Sequence, residues 1–399
     1  MKVLVADNFP NQYVEKIKSL VKEVVFEPKL KENDLPNNIK GIDILVVRST
    51  VVNAECIEKS DKLSLIIRAG AGVNNIDIKS ANKKGIYVAN CPGKNSIAVA
   101  ELAMGLICAI DRKIPDNVID FRNGKWNKAI YSKADGLAGK TLGVVGTGKI
   151  GSELITRAKA FELNIIAWSR SLADEKAEEM EIERASSLEE LFSNSDIVSI
   201  HLAQNAETKK IISKALISKL KKGAYFVNTA RAGVVDEDAL IEAAKSGNIF
   251  LGLDVFNNEP EGKEGELTTP LRDLPNVYLT HHIGASTAQA QNAVAEETCN
   301  IIAEYINTGA VRNWVNRISH SPAKYQLVVR HFDKPGVLAR VLRLLSKEKI
   351  NAQEMENVIF DDAVTACCTI KLDSKPSEKT LEEIESGKEE IINLTLIEL

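Results

Sequence analysis

The sequence predicts an α/β protein built from two doubly wound parallel-sheet domains, followed by a small α+β domain. Three observations carry this. Short β-branched runs alternate with helical or loop segments over most of the chain; a glycine-rich turn directly follows one of these runs; and the last 75 or so residues change to strand, helix, strand, strand, helix, strand.

The first unit contains five such runs, KVLVAD, EVVFEP, DILVVR, LSLIIRAG and GIYVANC, between residues 1 and 93. Runs of this kind separated by helices are the pattern of a parallel sheet covered on its faces. KNSIAVAELAMGLICAI then places Ile97, Leu102, Leu106 and Ile110 at helical spacing and leads into the second unit. There, TLGVVG, LNIIAWS, DIVSIHL, GAYFVNT, IFLGLDV and VYLTHH read as six strands, with helices at SELITRAKAFE and DEDALIEAAKSG. STAQAQNAVAEETCNIIAEYINTG reads as a long helix that returns over the first unit. The expected boundaries are 1–93 with 286–311 for a first, discontinuous domain, 94–285 for the second and 312–323 for a linker, RNWVNRISHSPA, which has no periodicity and a Ser-Pro turn signal. Residues 324–399 form the third domain, with its first helix over 335–347.

Composition narrows the function classes. The 399 residues exceed what one core usually spans, and 44% hydrophobic with 27% charged residues and a net charge of -4 describes an ordinary globular chain. This balance gives no reason to expect nucleic acid or a membrane as partner. The N-terminal apolar run breaks at Asp7, too early for a signal peptide, and no stretch approaches the ~18 apolar residues of a membrane span, so a cytoplasmic location is expected. Cys56, Cys91, Cys108, Cys299, Cys367 and Cys368 show no metal-binding spacing and mostly lie in apolar runs, which predicts free thiols and no metal.

The strongest local motif is VVGTGKIGS, in which Gly146, Gly148 and Gly151 follow a strand and open a helix. In a Rossmann domain such glycines give a tight turn, close approach of a pyrophosphate to backbone N–H groups, and close helix packing; Thr147, Lys149 and Ile150 share that loop. The next strand, IIAWSRS, ends in Ser169 and Arg170 where NAD-binding versions carry an acid for the ribose hydroxyls. A hydroxyl and a guanidinium attract a 2′-phosphate, which leaves both NAD and NADP open as cofactor. Three further segments fall near strand ends at the ligand-binding edge of such a sheet: VNTARAG with Arg231, LDVFNNEP with Asp254 and Glu259, and LTHHIGAST with His281 and His282. An Arg that grips a carboxylate, a His that moves a proton at a carbonyl oxygen and a Glu that favours the charged imidazole suit hydride transfer to a 2-keto acid.

Taken in order, GTGKIG, HLAQNAETK, NTARAGVVDEDAL, LDVFNNEP and HIGAST resemble the D-isomer-specific 2-hydroxyacid dehydrogenases over residues 1 to 310. The resemblance implies Arg231 as carboxylate anchor, His282 as acid/base and Glu259 as its partner. It implies cofactor contacts at His201, Thr208, Thr229, Ala230, Asp254 and Gly284, and substrate contacts at Ala71 and Gly72. The chain departs from the family in carrying His281-His282 for the common Pro-His, and Ser169 for the common Asp. VVRSTVV with Arg48 and IIRAGAGVNNID with Arg68 are most similar to the phosphoglycerate dehydrogenase branch. That likeness implies that both arginines, with Lys128 as a weaker third cation, bind a substrate phosphate, and that the reaction interconverts 3-phosphoglycerate and 3-phosphohydroxypyruvate in the first step of serine synthesis. A hydroxypyruvate or glyoxylate reductase, or a non-catalytic dinucleotide-sensing corepressor, remains the alternative. VVRHFDKPGVLARVLRLLSKEKINAQEMEN resembles an ACT domain, which implies an amino-acid effector such as serine at His331, Asp333 and Asn351, and a homodimer or larger homo-oligomer.

Overall fold

The computed structural model describes residues 1–260, 264–387 and 389–399. Its first sheet holds β1 (Lys2–Val5), β2 (Glu23–Phe26), β3 (Ile44–Val47), β4 (Leu65–Arg68) and β5 (Tyr87–Asn90) in the order β2-β1-β3-β4-β5, all parallel. The second holds β6 (Thr141–Val145), β7 (Asn164–Trp168), β8 (Glu183–Arg184), β9 (Ile197–Ile200), β10 (Ala224–Asn228), β11 (Ile249–Leu253) and β12 (Val277–Leu279) in the order β12-β11-β10-β9-β6-β7-β8, again parallel. Six of these seven strands are the expected ones. β8 is the addition: only two exposed polar residues, paired to Ile166 and Ala167 at the sheet edge, with no apolar pattern to reveal them.

Two helices fix how the chain serves these sheets. Ser96–Arg112 buries Ala100, Ala103, Met104, Leu106, Ile107 and Ile110 against the second sheet, while Ile97 points outward. Gly252 in β11 lies so close that an added Cβ would come within 3.0 Å of Leu106 Cβ. Ala288–Thr308 starts where Thr287 Oγ1 accepts from the Ala290 N–H and stops at Gly309, whose φ of 74° suits glycine. Its Val294, Ala295, Cys299, Ile301 and Ile302 share one core with Val3, Val5, Ile44, Val46, Leu65 and Ile67 of the first sheet, so the chain does return to it. The expected linker begins late: Trp314 bridges Ala89 and stacks edge-on against Tyr87, and Val315 and Asn316 bond Val88, so residues up to 316 are held along β5.

The chain divides into two compact units at Asn316/Arg317. The second unit holds β13 (Tyr325–Phe332), β14 (Ala352–Ile359), β15 (Thr365–Leu372) and β16 (Ile391–Glu398) in an antiparallel sheet ordered β14-β15-β13-β16. Its first helix starts at Val337, two residues later than expected, because Gly336 adopts φ of 98° and completes a turn with Pro335. Val337, Val341, Leu344, Leu345 and Ile384 close its core. All six cysteines are free, and among the described residues no helix is long and apolar enough to cross a membrane.

Candidate active site

His282 sits on the loop after β12 in an unusual backbone conformation for a non-glycine residue, φ of 50°. The loop is held by Asp254, which follows β11 and is 1% exposed; its carboxylate accepts from Thr280 Oγ1 at 2.6 Å, Ile283 N at 2.9 Å and Gly284 N at 2.8 Å. The His282 ring then lies with Nδ1 2.6 Å from Glu259 Oε2. Glu259 is itself fixed, because its Oε1 accepts from Phe256 N at 2.9 Å. Burial pushes the Glu259 carboxyl up, but the hydrogen bonds from His282 and Phe256, with the charges of His282 and Arg231, bring the net shift below its ordinary value. With Nδ1 taken up by a carboxylate, Nε2 is the atom left to exchange a proton with a ligand.

His282 and Glu259 line a cleft of about 540 Å³ together with Arg48, Arg68, Gly72 and Arg231. Among the described residues no carboxylate forms an ion pair with any of these three arginines. Arg68 Nε donates to Arg48 O at 3.0 Å, and Arg231 Nη1 to Ala230 O at 2.7 Å, which aims the two side chains. Burial, then the charges of Arg231 and Arg48, push the Arg68 guanidinium down to about 10. Such crowding of like charge favours an anion in the cleft. Glycines make it possible: a Cβ on Gly70 would fall 1.8 Å from Arg68 Nη1, and one on Gly72 2.9 Å from Arg231 Nη2. Asp7, at the end of β1, gathers the neighbouring loop by accepting from the N–H groups of Arg48, Ser49 and Thr50 at 2.7, 3.0 and 2.9 Å.

The glycine-rich turn lies at the switch point of the second sheet, where β6 has β7 on one side and β9 on the other. Gly146 adopts φ of 99°, and a Cβ on it would press to 2.8 Å from His201 O. A Cβ on Gly151 would fall 2.0 Å from Gly146 O, whereas Gly148 faces open space. A pyrophosphate cradle needs this arrangement, two glycines for packing and one for the ligand, and Thr229 Oγ1, buried at the end of β10, has no hydrogen-bond partner among the described residues. A dinucleotide therefore fits these residues. Beside the turn, Ser169 and exposed Arg170 follow β7, and the Arg170 guanidinium is paired with Glu207 from the loop after β9.

Residues 104–284 match the NAD binding domain of the D-isomer specific 2-hydroxyacid dehydrogenases. A D-3-phosphoglycerate dehydrogenase from Methanocaldococcus jannaschii is 41% identical over 318 residues, 79% of this chain and 59% of that protein, so the chain spans less than two thirds of that relative. The NAD+-bound structure of a 3-phosphoglycerate dehydrogenase from Entamoeba histolytica superposes with a TM-score of 0.66 at 28% identity, covering 80% of this chain and 99% of that one. A hydroxypyruvate reductase from Thermotoga maritima is 43% identical over 270 residues, 67% of this chain and 86% of that protein. The chain belongs to the D-isomer-specific 2-hydroxyacid dehydrogenase family.

As a member of this family the chain brings Arg48, Arg68, Gly72, Arg231, Glu259 and His282 to one cleft. Other expected residues serve the loops around it. Asp254, expected against a nicotinamide, gives its carboxylate to the His282 loop. Thr208 is buried and donates to Ala203 O, shaping its own turn, and the His201 ring is buried and bonded to Ser199, with burial pushing it down to about 4. Ala71 presents its carbonyl to Asn90, and Lys128 is exposed and does not line the cleft. The residues His331 and Asn351 do not meet within one chain. His331 is level with Ala366 and Ile359, whereas Asn351 adjoins the Ala352–Leu372–Tyr325 end of the sheet, roughly 20 Å away at strand rise. Buried His331 instead lies 3.1 Å from Asn357 Oδ1, and Asp333 is exposed. Sequence reading overlooked Asp7, Gln204, which lines the cleft beside Gly233, and Asn228, whose amide holds the Arg231 turn through Ala230 N and Arg231 O. The only sequence signal for Asp7 and Asn228 is a polar residue placed directly at a strand end.

Proposed function

We propose that the chain is a phosphoglycerate dehydrogenase, interconverting D-3-phosphoglycerate and 3-phosphohydroxypyruvate in the first step of serine synthesis. The observation that carries this reading is the set of three arginines, which among the described residues form no ion pair with a carboxylate, around one His–Glu pair. One guanidinium suffices to fork a carboxylate, and two more are what a distal phosphate needs. Gly146, Thr147, Gly148, Lys149, Ile150 and Gly151 would hold the pyrophosphate of a nicotinamide dinucleotide, with Thr229 and Ala230 at the neighbouring strand end. That cofactor, when bound, supplies or accepts the hydride.

Arg231 fixes the carboxylate and sets the orientation of the reacting carbon towards His282. In the oxidation direction neutral His282 takes the hydroxyl proton at Nε2, and Glu259, bonded at Nδ1, favours the imidazolium that forms. In reduction the same proton returns to the carbonyl oxygen. Rates with 3-phosphohydroxypyruvate, hydroxypyruvate and glyoxylate, compared in the purified protein, test the reading. A kcat/KM for the phosphorylated acid at least about tenfold above the other two is expected; a preference for hydroxypyruvate would replace this reading with the reductase one, which the Thermotoga relative favours by its coverage.

The same reading assigns 1–93 with 286–311 to the substrate domain, 94–285 to the nucleotide domain and 324–399 to an ACT-like module. An effector touching His331, Asp333 and Asn351 together would have to lie between two copies of that module, because one copy keeps them apart. Sedimentation with and without serine tests both the homo-oligomer and the effector.

A further inference from the structure

The end of β7 lacks the acid that usually meets an adenosine ribose, yet a carboxylate reaches the same place from another strand. Gly146 N donates to Trp168 O at 2.8 Å, so Ser169 and Arg170 start immediately beside the glycine turn. Glu207 belongs to the loop after β9, on the opposite side of β6. The Arg170–Glu207 pair therefore arches over the end of β6, across the crevice in which an adenosine would lie.

Glu207 is presented by a braced turn. Its N–H and that of Thr208 both donate to Asn205 Oδ1 at 2.9 Å, Thr208 Oγ1 donates to Ala203 O at 2.7 Å, and Thr208 is 6% exposed. The pair itself is open to solvent, with side chains 64% and 70% exposed, so it contributes little to folding and opens easily for a ligand. A ribose 2′-hydroxyl can donate to the Glu207 carboxylate with Arg170 still in place. A 2′-phosphate has to displace that carboxylate from Arg170 and then remain beside it, two anions sharing one cation.

We propose that Glu207 is a cofactor-specificity residue, supplying across the crevice the carboxylate absent from the end of β7, and that it makes the chain prefer NADH over NADPH. This rests on the dinucleotide-binding part of the functional reading and not on the identity of the substrate. It also answers why a cation stands at position 170: Arg170 holds the discriminating acid.

The test is the affinity of the full chain for NADH and for NADPH, by calorimetry without substrate. The unmodified chain is expected to bind NADH at least about tenfold more tightly, with the gap narrowing as salt is raised. Glu207→Gln should bring the two affinities within about threefold by improving NADPH, and Glu207→Gln with Arg170→Ala should lose that improvement. Both positions are exposed, and an unchanged Tm in each variant shows that folding is not the cause. Equal or tighter binding of NADPH by the unmodified chain, or an unchanged ratio in Glu207→Gln, overturns the proposal. Failure to reduce 3-phosphohydroxypyruvate with the NADH preference intact overturns only the substrate assignment; binding of neither dinucleotide overturns both.

Discussion

The imidazole of His282 and the carboxylate of Glu259 meet at 2.6 Å through Nδ1 and Oε2; the Phe256 amide fixes the carboxylate, and Asp254 fixes the loop that carries the imidazole. A proton relay in this geometry uses Nδ1 for Glu259 and leaves Nε2 for a ligand. Replacing His282 by Gln is expected to lower kcat by about 10²–10⁴-fold with little change in dinucleotide affinity. Glu259→Gln keeps the shape and removes the charge, so the alkaline limb of the reduction rate profile should move to lower pH while the dinucleotide affinity stays constant. Rate–pH profiles of both variants check this.

Arg68 and Arg231 carry different expectations. Arg68→Gln should raise KM for 3-phosphohydroxypyruvate by about 10- to 100-fold, the equivalent of one charge-assisted contact, and leave KM for hydroxypyruvate within a few-fold. Arg231→Gln should depress kcat/KM for both acids, since both carry the carboxylate. Parallel steady-state kinetics separate the two.

The glycine turn offers a paired test. Gly151→Ala drives a methyl group into Gly146 O, 2.0 Å away, and is expected to destabilise the chain by about 1–3 kcal/mol and to abolish dinucleotide binding. Gly148→Ala meets nothing within 4 Å, so Tm should hold while dinucleotide affinity falls. Thermal melts with and without NADH distinguish the pair.

Glu297, on the helix Ala288–Thr308, links Lys94, Asn313 and Arg312. Burial raises its carboxyl, but Lys94, Asn313 and Arg312 outweigh burial and hold it below the ordinary value of 4.5. A depressed folded-state value means the stabilisation is present above the unfolded value and is lost as pH falls through the folded one. Glu297→Gln should therefore flatten the loss of stability below about pH 4.5, as measured by denaturant midpoints across pH.

Eleven of the twelve parallel strands were legible because short β-branched runs stood between clear turns, and Arg231, Glu259 and His282 because each follows a run at the ligand edge. What stayed hidden depends on strand order and register. Asp7 meets residues 48–50 only because β1 lies beside β3, and Glu207 meets Arg170 only because β9 and β7 flank β6. The separation of His331 from Asn351 likewise follows from which residues face each other on β13, β14 and β15. β8 left no trace because two exposed polar residues carry no periodicity.

Asp7, outside the cleft, bears on the selectivity that the proposed function implies. Three consecutive amides, those of residues 48–50, already converge on an internal anion, so these three are not donors for a guest. On the proposed reading a distal phosphate would be met there by the jointed side chains of Arg48 and Arg68, which follow a group that shifts or changes size. Tolerance would then be built into one end of the cleft, while the Arg231 end, on a turn clamped by Asn228, would read its ligand strictly.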